Sequence, residues 1–281
     1  MENFRTYKYR FYYVEDEKRI PDGLLNANAF KNPDVSILSA TKSRLAIFLY
    51  HYRHIINCIN ADMTKLYERT SDPKTPIDDL SEHLVQRGAV AIYDGVSYQV
   101  ALHGLLYSLK SFLDVFSFFV AKYLKPEAKA ISFGKGKVGA ERISGGSFVN
   151  WLRNSKFHDF RNREVLADLI ERQSRGWINQ AIKYRDDLTH RTNIMNFKDM
   201  HVVLDHKRPY IKRENIIPPS MPDGTPLNEY AVGIFNALVD FVKNIVEMLP
   251  NVNVDLIYFD MSLADKGGTR IRVEYDGRDE K

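Results

Sequence analysis

The most apolar stretch of the chain, from Val96 to Leu124, sets the strongest limit on its fold. His103, Lys110 and Asp114 interrupt this stretch, so it lacks the charge-free run of about 18 residues that is typical of a membrane span. It is instead typical of a helix buried in a protein core. The first ten residues also lack the apolar segment of a signal peptide. We therefore expect a soluble, cytoplasmic protein with no membrane attachment.

Apolar residues recur at steps of three and four in several other segments, which predicts amphipathic helices. The predicted helices cover about residues 39–70, 80–124, 148–154, 162–190 and 227–249. Gly176 is expected to kink the fourth of these helices. Gly88, Gly95 and Gly104 lie inside the second, where we expect a neighbouring helix to approach closely.

Shorter segments with alternating apolar residues predict strands at both ends of the chain. They are 6–14, the pair "MHVVLD" and "RPYIKR", and the pair "VNVDLIYFDM" and "TRIRVEYD", with "NIIPPSMPDGTP" as a rigid loop. The sequence thus predicts an α+β fold that is mainly α, with a small antiparallel sheet formed by the N-terminal strand and the C-terminal hairpins. We expect an N-terminal strand and loop over 1–35, a helical domain over 36–195, and an α/β extension over 196–281 that packs on it.

Composition narrows the possible functions. The 281 residues carry a formal net charge of +4, which permits an anionic partner without requiring one. The chain has one cysteine, Cys58, which excludes a disulfide framework and a cysteine-based zinc site within one chain. His51, His54 and His103 have no accompanying carboxylate at a metal-binding spacing, so no metal site is expected.

The segment "AIKYRDDLTHRTN", residues 181–193, combines residue types suited to phosphodiester chemistry. Histidine titrates near neutral pH and can act as a general acid or base, here at His190. The guanidinium of Arg185 can hold a phosphate oxygen, and Asp186 can orient either group. An Arg-Asp-Asp run near a helix end is also typical of a solvated, ion-paired surface, so both interpretations stay open.

This segment resembles the motif of the HEPN family (higher eukaryotes and prokaryotes nucleotide-binding). The motif is an arginine, often followed by Asn, Asp or His, and then a histidine after a gap of four to six residues. The resemblance implies a HEPN-like helical bundle over about 36–195, and RNA cleavage without metal or cofactor by Arg185, Asp186 and His190. It also implies a homodimer with a composite site, and a toxin or defence role with an antitoxin or another protein partner. Some members of the family keep the fold and only bind.

Two other arginine–histidine pairs fit the motif. "RNSKFH" pairs Arg153 with His158 across four residues, and "RLAIFLYH" pairs Arg44 with His51 across six. The second is disfavoured because an apolar Leu45 follows the arginine inside a core helix. The first is a direct competitor, and we prefer Arg185 and His190 because a longer amphipathic helix carries them.

The segment 131–147 is rich in glycine and basic residues and is predicted to be a loop. "GKGKVG" within it has the form G-x-G-x-x-G, but a dinucleotide site needs that motif between a strand and a helix of a parallel α/β unit. We predict that cations of this loop and one beside the motif contact an RNA backbone: Lys135, Lys137, Arg142 and Arg191.

Three functional hypotheses follow. The first is a metal-independent endoribonuclease that binds RNA as a homodimer. The second is a non-catalytic HEPN-like dimerisation module that binds RNA or a protein partner. The third is a small-molecule enzyme that uses the glycine-rich loop.

Overall fold

Helices make up most of the computed structural model, which describes residues 9–12, 16–70, 95–154, 160–190, 201–202, 216–257 and 272–275. The helices are α1 (Asp16–Leu24), α2 (Val35–Thr70), α3 (Gly95–Leu124), α4 (Gly146–Asn154), α5 (Arg163–Gln173), α6 (Asn179–His190) and α7 (Leu227–Met248). The strands are β1 (Tyr9–Tyr12), β2 (Gly136–Val138), β3 (Glu141–Ile143), β4 (His201–Val202), β5 (Ile216–Ile217) and β6 (Arg272–Tyr275).

Helices α2 and α3 form a long antiparallel pair at the centre of the molecule. The Tyr98 hydroxyl donates to Oδ2 of Asp62 at 2.7 Å near one end of the pair. Near its middle, a Cβ built on Gly104 would lie 2.5 Å from Nδ1 of His51, so the glycine permits the close approach. This confirms the role predicted for Gly104. Residues 80–94 of the predicted second helix lie outside the described residues.

The apolar side of α3 is buried, as the sequence predicts. Phe112 and Phe116 are 0% and 1% exposed. Among the described residues, the segment Tyr98–Leu124 is the one long and apolar enough to cross a membrane, yet 61% of its most apolar window is buried inside the fold. Its apolar surface is therefore largely covered by the protein's own core.

Helix α7 is amphipathic and covers α2 with its apolar face. The rings of Phe235 and Tyr52 stack with centroids 4.6 Å apart. On the same face, Leu238 and Val242 are fully buried. The predicted helix over 227–249 is confirmed, and its packing makes α7 part of one continuous core with α2 and α3.

Helices α5 and α6 are separated by a break at the predicted place. The segment Ser174–Ile178 forms a π-helical turn, and Gly176 inside it has φ −83° and ψ −121°. Because that ψ lies outside the helical range, the helix axis changes direction there. Gly176 therefore kinks the helix as predicted.

The strands differ from the prediction in their pairing. They form separate two-stranded antiparallel sheets, β1 with β6, β2 with β3, and β4 with β5, rather than one sheet. The pairing of β1 with β6 confirms that the N-terminal strand joins the C-terminal one.

Two further strand predictions need correction. Strand β4 pairs with Ile216–Ile217, which lies in the segment predicted to be a rigid loop, while the expected partner "RPYIKR" lies outside the described residues. In the predicted closing hairpin, Val254–Leu256 forms a 3₁₀ turn, which Asn253 caps by accepting a hydrogen bond from the amide of Asp255 at 3.2 Å. An Asn side chain that bonds to the backbone two residues on favours a turn over a strand.

Candidate functional site

Arg185 and Asp186 lie on α6 where this helix packs against α3. The guanidinium of Arg185 donates from Nε to Oδ1 of Asp186 at 3.1 Å, and a second, shorter bond comes from its Nη2. Its Cζ lies 5.8 Å from the ring centroid of Tyr107 on α3, which is a cation–π distance. Both side chains are about three-quarters buried. The arginine is therefore held in place by an anion on one side and an aromatic ring on the other.

Lys135 joins this pair from the glycine-rich segment. Its Nζ lies 2.9 Å from Oδ2 of Asp186, so the two carboxylate oxygens each receive a cation. Partial burial acts to raise the pKa of Asp186, but the hydrogen bonds and charges of Arg185 and Lys135 outweigh it and hold that pKa below its usual range. Asp186 thus stays ionised at neutral pH and keeps the two cations close together.

Two contacts explain why Lys135 reaches α6. The backbone amide of Phe133 donates to Oδ1 of Asp114 on α3 at 2.8 Å. The amide of Ser144 donates to Oδ1 of Asn179, the first residue of α6, at 2.9 Å. The segment between them forms the hairpin β2–β3 and not the loop that its composition predicts. The hairpin holds the basic segment in a fixed position beside α6.

His103 is a neighbour of the site that sequence reasoning assigned to no function. Its Nε2 lies 3.4 Å from Oγ1 of Thr189, whose hydroxyl donates to the carbonyl oxygen of Arg185 at 2.8 Å. The direction of the hydrogen bond between His103 and Thr189 depends on the tautomer of the imidazole. The signal available in the sequence was the position of His103 as a polar interruption of the most apolar helix.

The remaining residues of the predicted motif are partly outside the described structure. His190 is the last residue of α6, and its side chain lies outside the described part, as does Arg191. Helix α6 runs without a break from Arg185 to His190. Five helical residues turn about 140° beyond one full circle, so these two backbone positions lie on different sides of α6.

Lys137 and Arg142 lie on the hairpin itself and face each other across it. They occupy the same register position of β2 and β3, and both are exposed. Like charges directly opposite each other weaken a strand pair. The pair therefore adds positive charge near Lys135 but weakens the hairpin.

Arg153, the arginine of the competing motif, is bonded to two carboxylates of a neighbouring helix. Nη2 of Arg153 lies 2.6 Å from Oδ1 of Asp168 and 2.8 Å from Oε2 of Glu171, both on α5. These bonds fasten α4 to α5 and engage the same guanidinium that would have to hold a phosphate. His158 lies outside the described residues. Arg153 and Arg185 are thus both bonded to carboxylates; Arg153 bonds two of them, whereas Arg185 shares a single carboxylate with a second cation, Lys135.

The third arginine–histidine pair belongs to the packing between α2 and α3. His51 contacts Gly104 of α3, whereas Arg44 is exposed to solvent. Burial lowers the pKa of His51, and the charge of nearby His54 lowers it further. His51 is therefore held neutral, as suits a side chain packed between helices.

The glycines of "GKGKVG" serve backbone packing. A Cβ on Gly136 would lie 2.4 Å from the carbonyl carbon of Gly146, and Gly139 forms the hairpin turn with φ +62°. Gly136 thus lies against the start of α4, and the motif forms a hairpin rather than the strand-to-helix loop of a dinucleotide site.

No group of three or more His, Cys, Asp or Glu side chains gathers for metal binding within the described ranges. Comparison with known protein families, characterised proteins and solved structures finds no match. The function therefore has to be argued from the chemistry of this chain's own side chains.

Proposed function

We propose that the chain is a metal-independent endoribonuclease of the HEPN type, with Arg185, Asp186 and His190 as its catalytic residues. The observation that carries the proposal is the joint contact of Arg185 and Lys135 with Asp186, which keeps two cations side by side on a partly buried surface. An RNA phosphate diester is an anion of the size and charge that such a pair binds.

The proposed reaction needs no metal. A base takes the proton of a ribose 2′-hydroxyl, and the oxygen attacks the adjacent phosphorus. The bond from phosphorus to the 5′-oxygen breaks, and an acid gives that oxygen a proton. The products are a 2′,3′-cyclic phosphate and a 5′-hydroxyl. Histidine, with an ordinary pKa of about 6.5, can serve as base or acid at neutral pH, and Arg185 stabilises the charge that develops on the phosphate oxygens.

A homodimer is part of the proposal. Because α6 is continuous from Arg185 to His190, one copy presents the two backbone positions on different sides of the helix. A two-fold axis beside α6 would bring Arg185 of one copy towards the partner's His190. The composite cleft would then hold all the groups that the reaction needs.

An interaction module without catalysis is the second candidate, and one observation favours it. Large apolar side chains are exposed on the two central helices, namely Ile47 (41%), Tyr50 (46%), Val100 (66%) and Tyr107 (51%). Exposed apolar side chains grouped on core helices are typical of protein-binding surfaces. This candidate predicts a stable dimer or complex without turnover of RNA.

The proposed function is tested by incubating the purified protein with labelled RNA in excess EDTA. We expect cleavage to persist, with 2′,3′-cyclic phosphate and 5′-hydroxyl ends, because no step needs a metal. A folded dimer that cleaves none of the RNAs tested would contradict the nuclease and favour the interaction module. Cleavage that EDTA abolishes would exclude the proposed mechanism.

The hairpin cations give a separate prediction about binding. Replacing Lys137 and Arg142 together by alanine should weaken RNA binding to a similar extent for every RNA sequence. The slope of log Kd against log salt concentration should also fall by about 1 for each of the two cations that contacts a phosphate. Kd would be measured by anisotropy over a range of salt concentrations. Lys243→Ala on α7, where the lysine is 54% exposed, is the control and should leave the slope unchanged. An unchanged slope in the double variant would remove the hairpin from the RNA path.

A further inference from the structure

Tyr107 has an unusual position for a residue of a core helix. Its neighbours Leu105, Leu106 and Leu109 are 0–1% exposed, whereas Tyr107 is 51% exposed. An aromatic ring this open in the middle of the most apolar helix loses the burial that its neighbours gain. The side chain is therefore accessible to a ligand or partner that can stack on its ring.

The surroundings of Tyr107 are polar and cationic. Arg185 lies over the ring at 5.8 Å, and His103 meets it nearly edge-on, with centroids 4.9 Å apart and planes at 81°. Lys135 reaches the same place through Asp186, at 2.9 Å. The ring thus contacts one cation, a second cation is joined to that one through Asp186, and the residue as a whole is about half exposed.

We propose that Tyr107 is the platform on which an unpaired nucleobase stacks, while Arg185 and Lys135 hold a phosphate next to that base. That the polymer is RNA rests on the proposed function. A base in a duplex is already covered on both faces by its neighbours, whereas a single-stranded base has a face free for an aromatic side chain. The site therefore selects single-stranded over double-stranded RNA.

Tyr50 provides a second position of the same kind. It is 46% exposed on α2, and its ring lies parallel to that of His54 at 6.2 Å. The next residue, His51, packs against Gly104, one turn before Tyr107 on α3. Both tyrosines are about half-exposed, and in sequence each lies within one helical turn of a residue of the His51–Gly104 contact.

Charge favours a nucleic acid over a protein as the occupant. The cations next to Tyr107 are followed by the exposed pair Lys137 and Arg142 on the hairpin, and the whole chain carries a formal net charge of +4. A polyanion with flat apolar bases matches a surface that carries both cations and aromatic rings. Arg185 and Lys135 already share the Asp186 carboxylate, and a neutral protein partner would bring no anion to Lys137 and Arg142.

The test measures binding to a short 2′-O-methyl oligonucleotide, whose blocked 2′-oxygen prevents cleavage. Affinity is compared for the single strand and for its perfect duplex, with EDTA present, in wild type, Tyr107→Ala and Tyr107→Phe. We expect Tyr107→Ala to bind the single strand about 5- to 100-fold more weakly and Tyr107→Phe to bind it like wild type, because the ring supplies the stacking. Duplex binding should be weaker than single-strand binding in wild type and change little in either variant.

Controls separate stacking from other effects. Val165→Ala removes a side chain that is 54% exposed on α5 and should leave binding unchanged. An unchanged affinity of Tyr107→Ala, an equal loss for single strand and duplex, or no binding by wild type would each overturn the proposal. Loss of dimer mass in Tyr107→Ala without loss of single-strand affinity would assign the ring to a protein interface instead.

The proposal and the nuclease function can fail separately. If wild type cleaves unmodified RNA but Tyr107→Ala binds the oligonucleotide normally, the platform is wrong and the nuclease stands. If Tyr107→Ala loses single-strand affinity selectively but wild type cleaves no RNA, the platform stands and the catalytic assignment is wrong.

Discussion

Replacing His190 by alanine is expected to lower the rate of RNA cleavage by about 10²- to 10⁴-fold, the usual contribution of a general acid or base. The loss should appear mainly in kcat, because Arg185 and Lys135 would still bind the phosphate. Initial rates with labelled RNA in EDTA measure the effect. Binding of a 2′-O-methyl oligonucleotide should be nearly unchanged, which distinguishes a catalytic role from a role in affinity.

His158→Ala is the matched control for His190→Ala. Its partner in the competing motif, Arg153, is bonded to Asp168 and Glu171, so this variant should cleave RNA at the wild-type rate. Circular dichroism and thermal unfolding would verify that both variants fold. A rate within about threefold of wild type for His190→Ala would contradict the assignment, given the size expected of an acid or base. A loss in His158→Ala alone would move the site to Arg153.

The long helices could be predicted from the sequence because each has a long apolar stripe to bury. Helices α2 and α7, and the break at Gly176, follow from spacings of three and four and from one glycine. Over 20 or more residues such a pattern has few alternatives, since a strand would place half of the apolar side chains in water.

The short elements could not be predicted in the same way. The hairpin β2–β3 has three residues in each strand, and β5 has two, too few for an alternating pattern to be recognised. Their pairing is decided by tertiary contacts such as the bond from the Phe133 amide to Asp114. The sequence showed glycines and cations there, which are equally typical of a loop.

In the candidate site too, contacts between neighbours in the sequence could be predicted and contacts between distant residues could not. Arg185 and Asp186 are adjacent in the sequence and were found by their local pattern. The contact of Lys135 with Asp186 spans 51 positions, and that of His103 with Thr189 spans 86. The polar interruptions of α3 did indicate where other elements meet it, since His103 contacts α6 and Asp114 binds the hairpin segment.

Gly136→Ala is the second variant with a large expected effect. Its Cβ would lie 2.4 Å from the carbonyl carbon of Gly146 and from the amide nitrogen of Ser147. Both are backbone atoms at the start of α4, so the clash cannot be relieved by rotating a side chain. We expect a loss of about 1–3 kcal/mol in the free energy of unfolding, measured by urea denaturation. Because Lys135 is the preceding residue, RNA affinity should fall as well.

Gly233→Ala on α7 is the matched control, since no atom lies within 4 Å of its added Cβ. An alanine in an exposed helical position should raise stability by about 0.5–1 kcal/mol, because glycine loses more backbone entropy on folding. The two glycine variants therefore shift the unfolding midpoint in opposite directions. If Gly136→Ala were as stable as wild type, β2 would not lie against α4. The hairpin would then lose one of the contacts that position Lys135 beside Asp186, and the bonds of the Phe133 and Ser144 amides would have to hold it.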